Sequence, residues 1–326
     1  MTALDPVLKD LWHPVMMSAA LTGAPAAIEV LGEKVVLFRS SDGVHALKDL
    51  CIHRGVPLSL GKVRGDEIVC AYHGWTYNGC GTCTRIPSLP QGTAIPSKAR
   101  AVAYACKETY GIIWVCVGNP VTEMPEIGLR GPNPDFAQVY MGPYEISAAA
   151  PRVVENFLDV SHLMYVHEGM LGDSEYSEIN DYRVHEADGA LRTDIIEVYQ
   201  PDPDGRGVGV QSLYTYEVYH PVSVSLSKQI AGSDDIFHLY LLVLPKNETS
   251  SVAFMLMERN YAKDEPDEIF ISFQDILLEQ DRLIVENQKP ELLPLDLQAE
   301  LHLKCDRLAI AYRKMLKESG VTFGTA

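Results

Sequence analysis

Two short segments, Cys51-Ile52-His53 and Cys70-Ala71-Tyr72-His73, each set one thiol close to one imidazole, and a chain that brings them together must present two loops around a metal. Glycine follows each arm closely, in Arg54-Gly55 after His53 and in Gly74-Trp75 after His73, which lets backbone amides approach bridging sulfides. Two thiolates and two imidazoles in this arrangement fit an iron-sulfur centre in which histidines replace cysteines on one iron, and neutral histidine ligands raise its reduction potential. Tetrahedral zinc uses the same residue types, and Cys80-Gly81-Thr82-Cys83 could extend such a site. Zinc has no need for each cysteine to travel with its own histidine on a glycine-flanked loop. Cys80, Cys83, Cys106, Cys116 and Cys305 read as free thiols.

A second set of metal-ligand residue types lies in residues 156–167, where Asn156, Asp159 and His162 recur every third residue and would share one helical face. His167 is five residues beyond His162, so both imidazoles reach one metal only if the helix is distorted between them. A later helix over residues 270–288 has an apolar stripe of Phe270, Phe273, Leu277 and Ile284, with Asp281 inside it. A carboxylate on an apolar face must be paired, bound to metal or placed at the rim. Asp275 and Glu279 compete with Asp281 for that role, and a rim salt bridge is open to all three.

The pattern Cys-x-His-Arg-Gly, then residues 56–69, then Cys-x-x-His-Gly-Trp is that of the Rieske proteins, and with the second set the chain resembles the Rieske non-haem iron oxygenases. The resemblance covers nearly the whole chain. It implies a two-iron, two-sulfur cluster on Cys51, His53, Cys70 and His73, and a mononuclear Fe(II) on His162, His167 and Asp281 with positions left for oxygen. Asp281 matches the family's carboxylate position by way of Glu286 and Gln288. It also implies that Asp159 links His162 to a cluster histidine of a neighbouring subunit, His73 ahead of His53, within a head-to-tail homotrimer, and that Asn156 lies beside the iron.

At 326 residues the chain is long enough for two modules. Short alternating runs at 34–40, 44–50, 67–71 and 111–118, separated by turn residues, predict an antiparallel β domain with the cluster arms as hairpin tips. A Pro- and Gly-rich loop over 119–143 marks the boundary. Beyond it, strands are expected at 191–199, 209–219, 222–230, 235–244 and 250–260, with turns at 202–205 and 245–247. A closing amphipathic helix over 297–318 would bury Leu301, Cys305, Leu308, Ala309 and Tyr312. The fold class is therefore α+β: a Rieske β domain over 1–120, then a catalytic domain over 121–326 in the helix-grip arrangement that the resemblance implies.

Forty-four acidic against twenty-seven basic residues give a net charge of −17, which disfavours nucleic acid and anionic membranes as partners. Neither a signal peptide nor a membrane span is present, so a cytoplasmic protein is expected. A glycine-rich dinucleotide loop and the four clustered cysteines of a plant-type ferredoxin are both missing. Electrons from NAD(P)H and flavin would then arrive through a separate reductase, directly or by way of a ferredoxin. At this length the chain looks like the vanillate and dicamba demethylase branch, which hydroxylates or oxidatively demethylates small aromatic molecules with O2. Cis-dihydroxylation of an aromatic ring is the alternative. A non-catalytic Rieske carrier would have no use for Asn156, Asp159, His162, His167 and Asp281 together, and a zinc-stabilised binding protein is the remaining alternative. Tyr214, Tyr216, His220 and His238 fall in or beside strands that could face a cavity, with a core or rim aromatic as the simpler reading of each.

Overall fold

The computed structural model describes residues 4–124, 127, 134–203 and 207–326, which form two compact units, 1–125 and 126–326. The first unit is built from ten strands: β1 His13–Met17, β2 Ala26–Val30, β3 Glu33–Ser40, β4 Gly43–Lys48, β5 Lys62–Arg64, β6 Glu67–Val69, β7 Thr76–Tyr77, β8 Cys83–Arg85, β9 Ala103–Thr109 and β10 Ile112–Cys116. Six of them form an antiparallel sheet in the order β1-β10-β9-β4-β3-β2, and β5 to β8 form a smaller sheet in sequence order. Tight two-residue turns close β2 to β3 through Leu31-Gly32 and β9 to β10 through Tyr110-Gly111, with all four residues in the left-handed region. Val36, Phe38, Leu47, Leu58, Ile68 and Tyr77 make a closed core.

Cys51 and Cys70 join this core at 2 % and 3 % exposure, so the sulfurs are anchored inside while the arms reach outward. The two arms share one backbone device. Cys51 N donates to the Val56 carbonyl and Gly55 N to the Cys51 carbonyl, just as Cys70 N donates to Trp75 and Gly74 N to Cys70. Gly55 and Gly74 take φ of 72° and 69° to close these loops. Only the second arm is a hairpin tip, between β6 and β7. The first follows β4 and leaves the large sheet for β5 of the small one, so it connects two sheets.

The second unit contains β11 Ala137–Ile146, α1 Ala150–Leu158, α2 Leu163–Val166, β12 Val184–Ala187, β13 Ala190–Thr193, β14 Ile196–Gln200, β15 Val210–His220, β16 Ser223–Ile230, β17 Ile236–Asn247, β18 Ser250–Arg259, α3 Asp267–Val285 and α4 Arg307–Ser319. Its antiparallel sheet runs β11-β18-β17-β16-β15-β13-β12, with β14 also paired to β15. α1 begins with proline in its first turn, where the missing N–H costs nothing. α3 opens on Asp267 and Glu268, which complement the helix dipole, and α4 ends at Gly320 in the left-handed conformation. No helix among the described residues is long and apolar enough to cross a membrane.

Several expected boundaries move. The single strand over 191–199 is two strands, because Asp194 leaves the ladder to accept from Arg183 N and His185. The linker over 119–143 ends early: β11 begins at Ala137 and carries Pro143 past a break in register beside β18. β17 runs through the turn expected at 245–247, while the turn at 202–205 lies partly outside the described residues. The last helix starts at Arg307, so Leu301 stands 89 % exposed, whereas Leu308 and Tyr312 pack inside. On α3 the inner stripe is Phe270, Gln274, Leu277, Leu278 and Val285, and Ile284 faces outward at 45 % exposure.

Candidate metal centres and active-site cavity

Residues 156–167 do not form one helix. α1 stops at Leu158, Asp159 is extended at φ −83° and ψ 125°, and its Oδ1 accepts from Ser161 N at 2.8 Å and Ser161 Oγ at 2.7 Å. A side chain that captures its own backbone in this way competes with the helix and ends it. Asn156, Asp159 and His162 therefore do not share a helical face. The break falls before His162 rather than between the two histidines, and His162 caps α2 at one end while His167 caps it at the other.

Across this short helix, and from the second half of α3, three ligand atoms converge. His167 Nε2 lies 3.1 Å and His162 Nε2 3.4 Å from Asp281 Oδ1, with the imidazole rings 5.1 Å apart. Asp281 Oδ1 is buried yet forms no hydrogen bond of good geometry with either ring, so the atoms converge on a common point rather than pair off. Such a donor set of two histidines and one carboxylate could hold a ferrous ion with open positions. Gln280 Oε1 accepts from His167 Nδ1 at 2.7 Å, the arrangement that turns Nε2 of that ring toward the triad. Asp159 Oδ2 stands 3.6 Å from His162 Nδ1. Burial by itself would lower the His162 pKa, but Asp159 and Asp281 outweigh it and raise it to about 9. Burial would raise Asp281, and the two histidines instead hold it down at about 2. The competing carboxylates are occupied elsewhere: Asp275 accepts from Tyr144 Oη at 2.5 Å, and Glu279 pairs with Arg282 at 2.6 Å.

In the first unit, the His53 and His73 rings meet edge to face at 4.5 Å, and His53 stacks on Trp75 at 4.5 Å. His53 Nδ1 is buried without a partner among the described residues. Burial, then the proximity of His73 and Arg54, lower the His53 pKa and favour the neutral form that binds metal. The Tyr77 hydroxyl is hydrogen-bonded to the Cys51 sulfur at 3.2 Å, a contact of the kind that tunes an iron-sulfur potential. A tetrahedral zinc would draw four ligand atoms within about 4 Å of one another. Among the described residues, the one group of three or more His, Cys, Asp or Glu ligand atoms gathered within 4.8 Å is His162, His167 and Asp281. The cysteines buried and the histidines beyond them fit a centre with two metals, and all seven cysteines are free thiols.

Residues 11–103 match the family model of the Rieske [2Fe-2S] domain, and residues 146–320 match that of the vanillate O-demethylase oxygenase C-terminal domain. The chain belongs to the Rieske oxygenases. It is 31 % identical over 322 residues to methylxanthine N1-demethylase NdmA of Pseudomonas putida, covering 95 % of this chain and 89 % of the relative. It is 31 % identical over 174 residues to the vanillate O-demethylase oxygenase subunit of a Pseudomonas species, covering 52 % of this chain and 48 % of that one. The structure of NdmA with caffeine superposes with a TM-score of 0.85 at 29 % identity, over 96 % of this chain and 91 % of that one. Rieske oxygenases are oxidoreductases that carry a two-iron, two-sulfur cluster and a mononuclear iron, and the family works with a separate reductase or ferredoxin.

In this Rieske oxygenase the triad opens onto a cavity whose walls include Phe157, Leu226, Leu239, Met255, Phe270 and Phe273. Tyr214 and Tyr216 line it, their rings 5.9 Å apart, with Gln200 donating to Tyr214 Oη at 2.8 Å. His220, at the end of β15, and His238, stacked on Phe136, lie outside the lining. Asn156, half-buried on the last turn of α1, is also outside it. Sequence reading missed Gln280, Tyr77 and the cavity residue Lys228. Gln280 adjoins Asp281 and Tyr77 is four residues past His73, but neither spacing signals a ring nitrogen or a sulfur as partner.

Proposed function

We propose that this chain is the terminal oxygenase of a multicomponent system that hydroxylates or oxidatively demethylates a small aromatic substrate, with a Rieske domain over 1–120 and a catalytic domain over 121–326. The observation that carries this reading is the buried triad of His162, His167 and Asp281, open on one side to an apolar cavity. Cys51 and Cys70 would hold one iron of the cluster, His53 and His73 the other, and the triad the mononuclear Fe(II). When bound, these centres supply electron storage and oxygen activation. The protein's own part is placement and protection. Gln280 fixes the His167 ring, Asp281 draws both imidazoles together, and the aromatic and aliphatic walls exclude water and hold a flat substrate beside the triad. For a methyl ether the overall change consumes O2, two electrons and two protons, and yields the hydroxyl product, formaldehyde and water.

Asp159 is the proposed electron bridge. It touches His162 without joining the triad and is 35 % exposed, so it can meet His73 of a neighbouring copy in a head-to-tail trimer. Purified protein should be brown, with about three irons and two acid-labile sulfides per chain. A panel of aromatic ethers, amines and acids, incubated with O2 and a surrogate reductase, should yield formaldehyde or a hydroxylated ring. Colourless protein holding zinc alone would end this reading.

A further inference from the structure

The small sheet of the first unit turns one face to the core, through Val63, Ile68, Tyr77 and Cys83, and leaves the other outside. In register Lys62 opposes Val69, Val69 opposes Thr76 and Thr76 opposes Arg85, while Arg64 opposes Glu67. Directly opposed residues of antiparallel neighbours point to the same face, so all of these lie on the outer one. There they line a groove that reaches Cys70 and Gly74 of the second cluster arm. Elsewhere in this unit Arg39 pairs with Glu108 and Lys48 with Glu33. Lys62, Arg64 and Arg85 are exposed, and none of their side chains has an ion-pair or hydrogen-bond partner among the described residues. Glu67 is the one acidic residue among the described residues that line the groove.

Three unpaired cations on one face repel one another, and their fields add along the groove until an anionic surface covers them. The second unit carries thirty-four acidic against sixteen basic side chains, so its net charge repels an acidic protein. Such a protein finds its counter-charge in this groove, and there it lies beside Cys70, one of the residues that would hold the cluster. We propose that the electron donor docks in this groove, and that the donor is an acidic carrier protein whose carboxylates pair with Lys62, Arg64 and Arg85. One electron at a time leaves the donor, which is oxidised, and reduces the cluster. This rests on the reading of Cys51, His53, Cys70 and His73 as the cluster site of an oxygenase. His73 is not part of the groove lining, so the donor and the neighbouring copy would use different sides of the same arm.

The test uses the cluster-loaded protein and a plant-type ferredoxin, an acidic carrier, as the probe. Calorimetry at low salt should find binding that weakens as salt is added. The triple variant Lys62→Gln, Arg64→Gln, Arg85→Gln should bind about tenfold more weakly and lose most of that salt dependence, and Arg64→Gln alone should show part of the loss. A control variant that removes three exposed cations elsewhere, Lys107→Gln, Lys263→Gln, Lys314→Gln, should stay within about twofold of the wild type. An unchanged visible spectrum shows that the cluster domain survives, and stopped-flow reduction of the cluster by reduced ferredoxin should follow the affinities. Equal losses in the groove and control variants, binding that ignores the groove changes, or no binding to the wild type would overturn the proposal. A fall in solution mass confined to the groove variant would overturn it too, because the groove would then be a contact between copies. Product analysis keeps the two readings apart. Groove-dependent binding and reduction with no product from the aromatic panel retains the docking site and removes the oxygenase. Product formed equally fast by wild type and groove variant, with ferredoxin as donor, retains the oxygenase and removes the docking site.

Discussion

Gln280 decides which nitrogen His167 offers to the triad, because its side-chain oxygen accepts a hydrogen bond from Nδ1 at 2.7 Å. Replacing it with leucine keeps the bulk and removes the acceptor, so the ring can turn or change tautomer. Gln280→Leu is expected to weaken iron binding by roughly 10- to 100-fold while leaving the cluster's visible spectrum unchanged, as measured by iron titration of metal-free protein. The charges of the triad set a second expectation, for protein stripped by a chelator. Asp281, held at about 2 against an ordinary 3.8, contributes stability that is present above 3.8 and lost as the pH falls toward 2. His162, raised to about 9 from 6.5, contributes stability that is present below 6.5 and lost as the pH rises toward 9. The melting temperature of metal-free protein should therefore fall between pH 6.5 and 9, and His162→Gln should flatten that fall. Iron affinity should rise over the same window, since His162 must lose its proton to bind.

α2 has only four residues, too few to be stable alone, so its neighbours must hold the two histidines at its ends. Gly172 is one of them: a Cβ there would meet Met164 Cα at 2.5 Å and the Leu163 carbonyl carbon at 2.6 Å, both of them backbone. Gly172→Ala should displace α2 and drop the iron content from about three per chain to about two, with the cluster retained. Full occupancy in that variant would show that α2 tolerates the shift. The same segment marks the limit of what the residues disclose in advance. The cluster arms were legible because cysteine, histidine and glycine recur together, and the long strands because β15 alternates while β17 and β18 carry unbroken apolar runs bounded by turn residues. The break at Asp159 was not, because a spacing of three looks helical whether or not an aspartate turns back on Ser161. Leu301 and Ile284 misled for a related reason: apolar residues beside a helix end continue its pattern while the backbone has already left it.

At the scale of the whole molecule, the acidity is unevenly spread. Residues 1–125 hold eleven basic and ten acidic side chains, and the remainder hold sixteen and thirty-four. Taken by itself the first unit is close to neutral, so a protein that docks on it meets little net charge there. The proposed route for onward delivery runs through Asp159. Asp159→Asn nearly preserves shape and removes a charge that accepts from a protonated imidazole, so both metal centres should persist while oxidation of the pre-reduced cluster by O2 and substrate slows at least tenfold in rapid mixing. Unchanged cluster oxidation would remove the bridge, and a solution mass showing a fully active monomer would remove the route between copies.

His167 and Gln280 are 113 residues apart in the chain, and nearly all of the large sheet is threaded between the triad's two contributing segments. A metal ion seated there is a cross-link as much as a reagent, closing a long loop whose ends would otherwise be joined only by packing. Loss of iron should accordingly loosen α3 from α2 before the sheet melts. Limited proteolysis of chelator-treated protein should cut first within or beside α3, and ferrous ion should restore resistance. Oxygenase activity and lifetime against proteases would then rise and fall with the same atom.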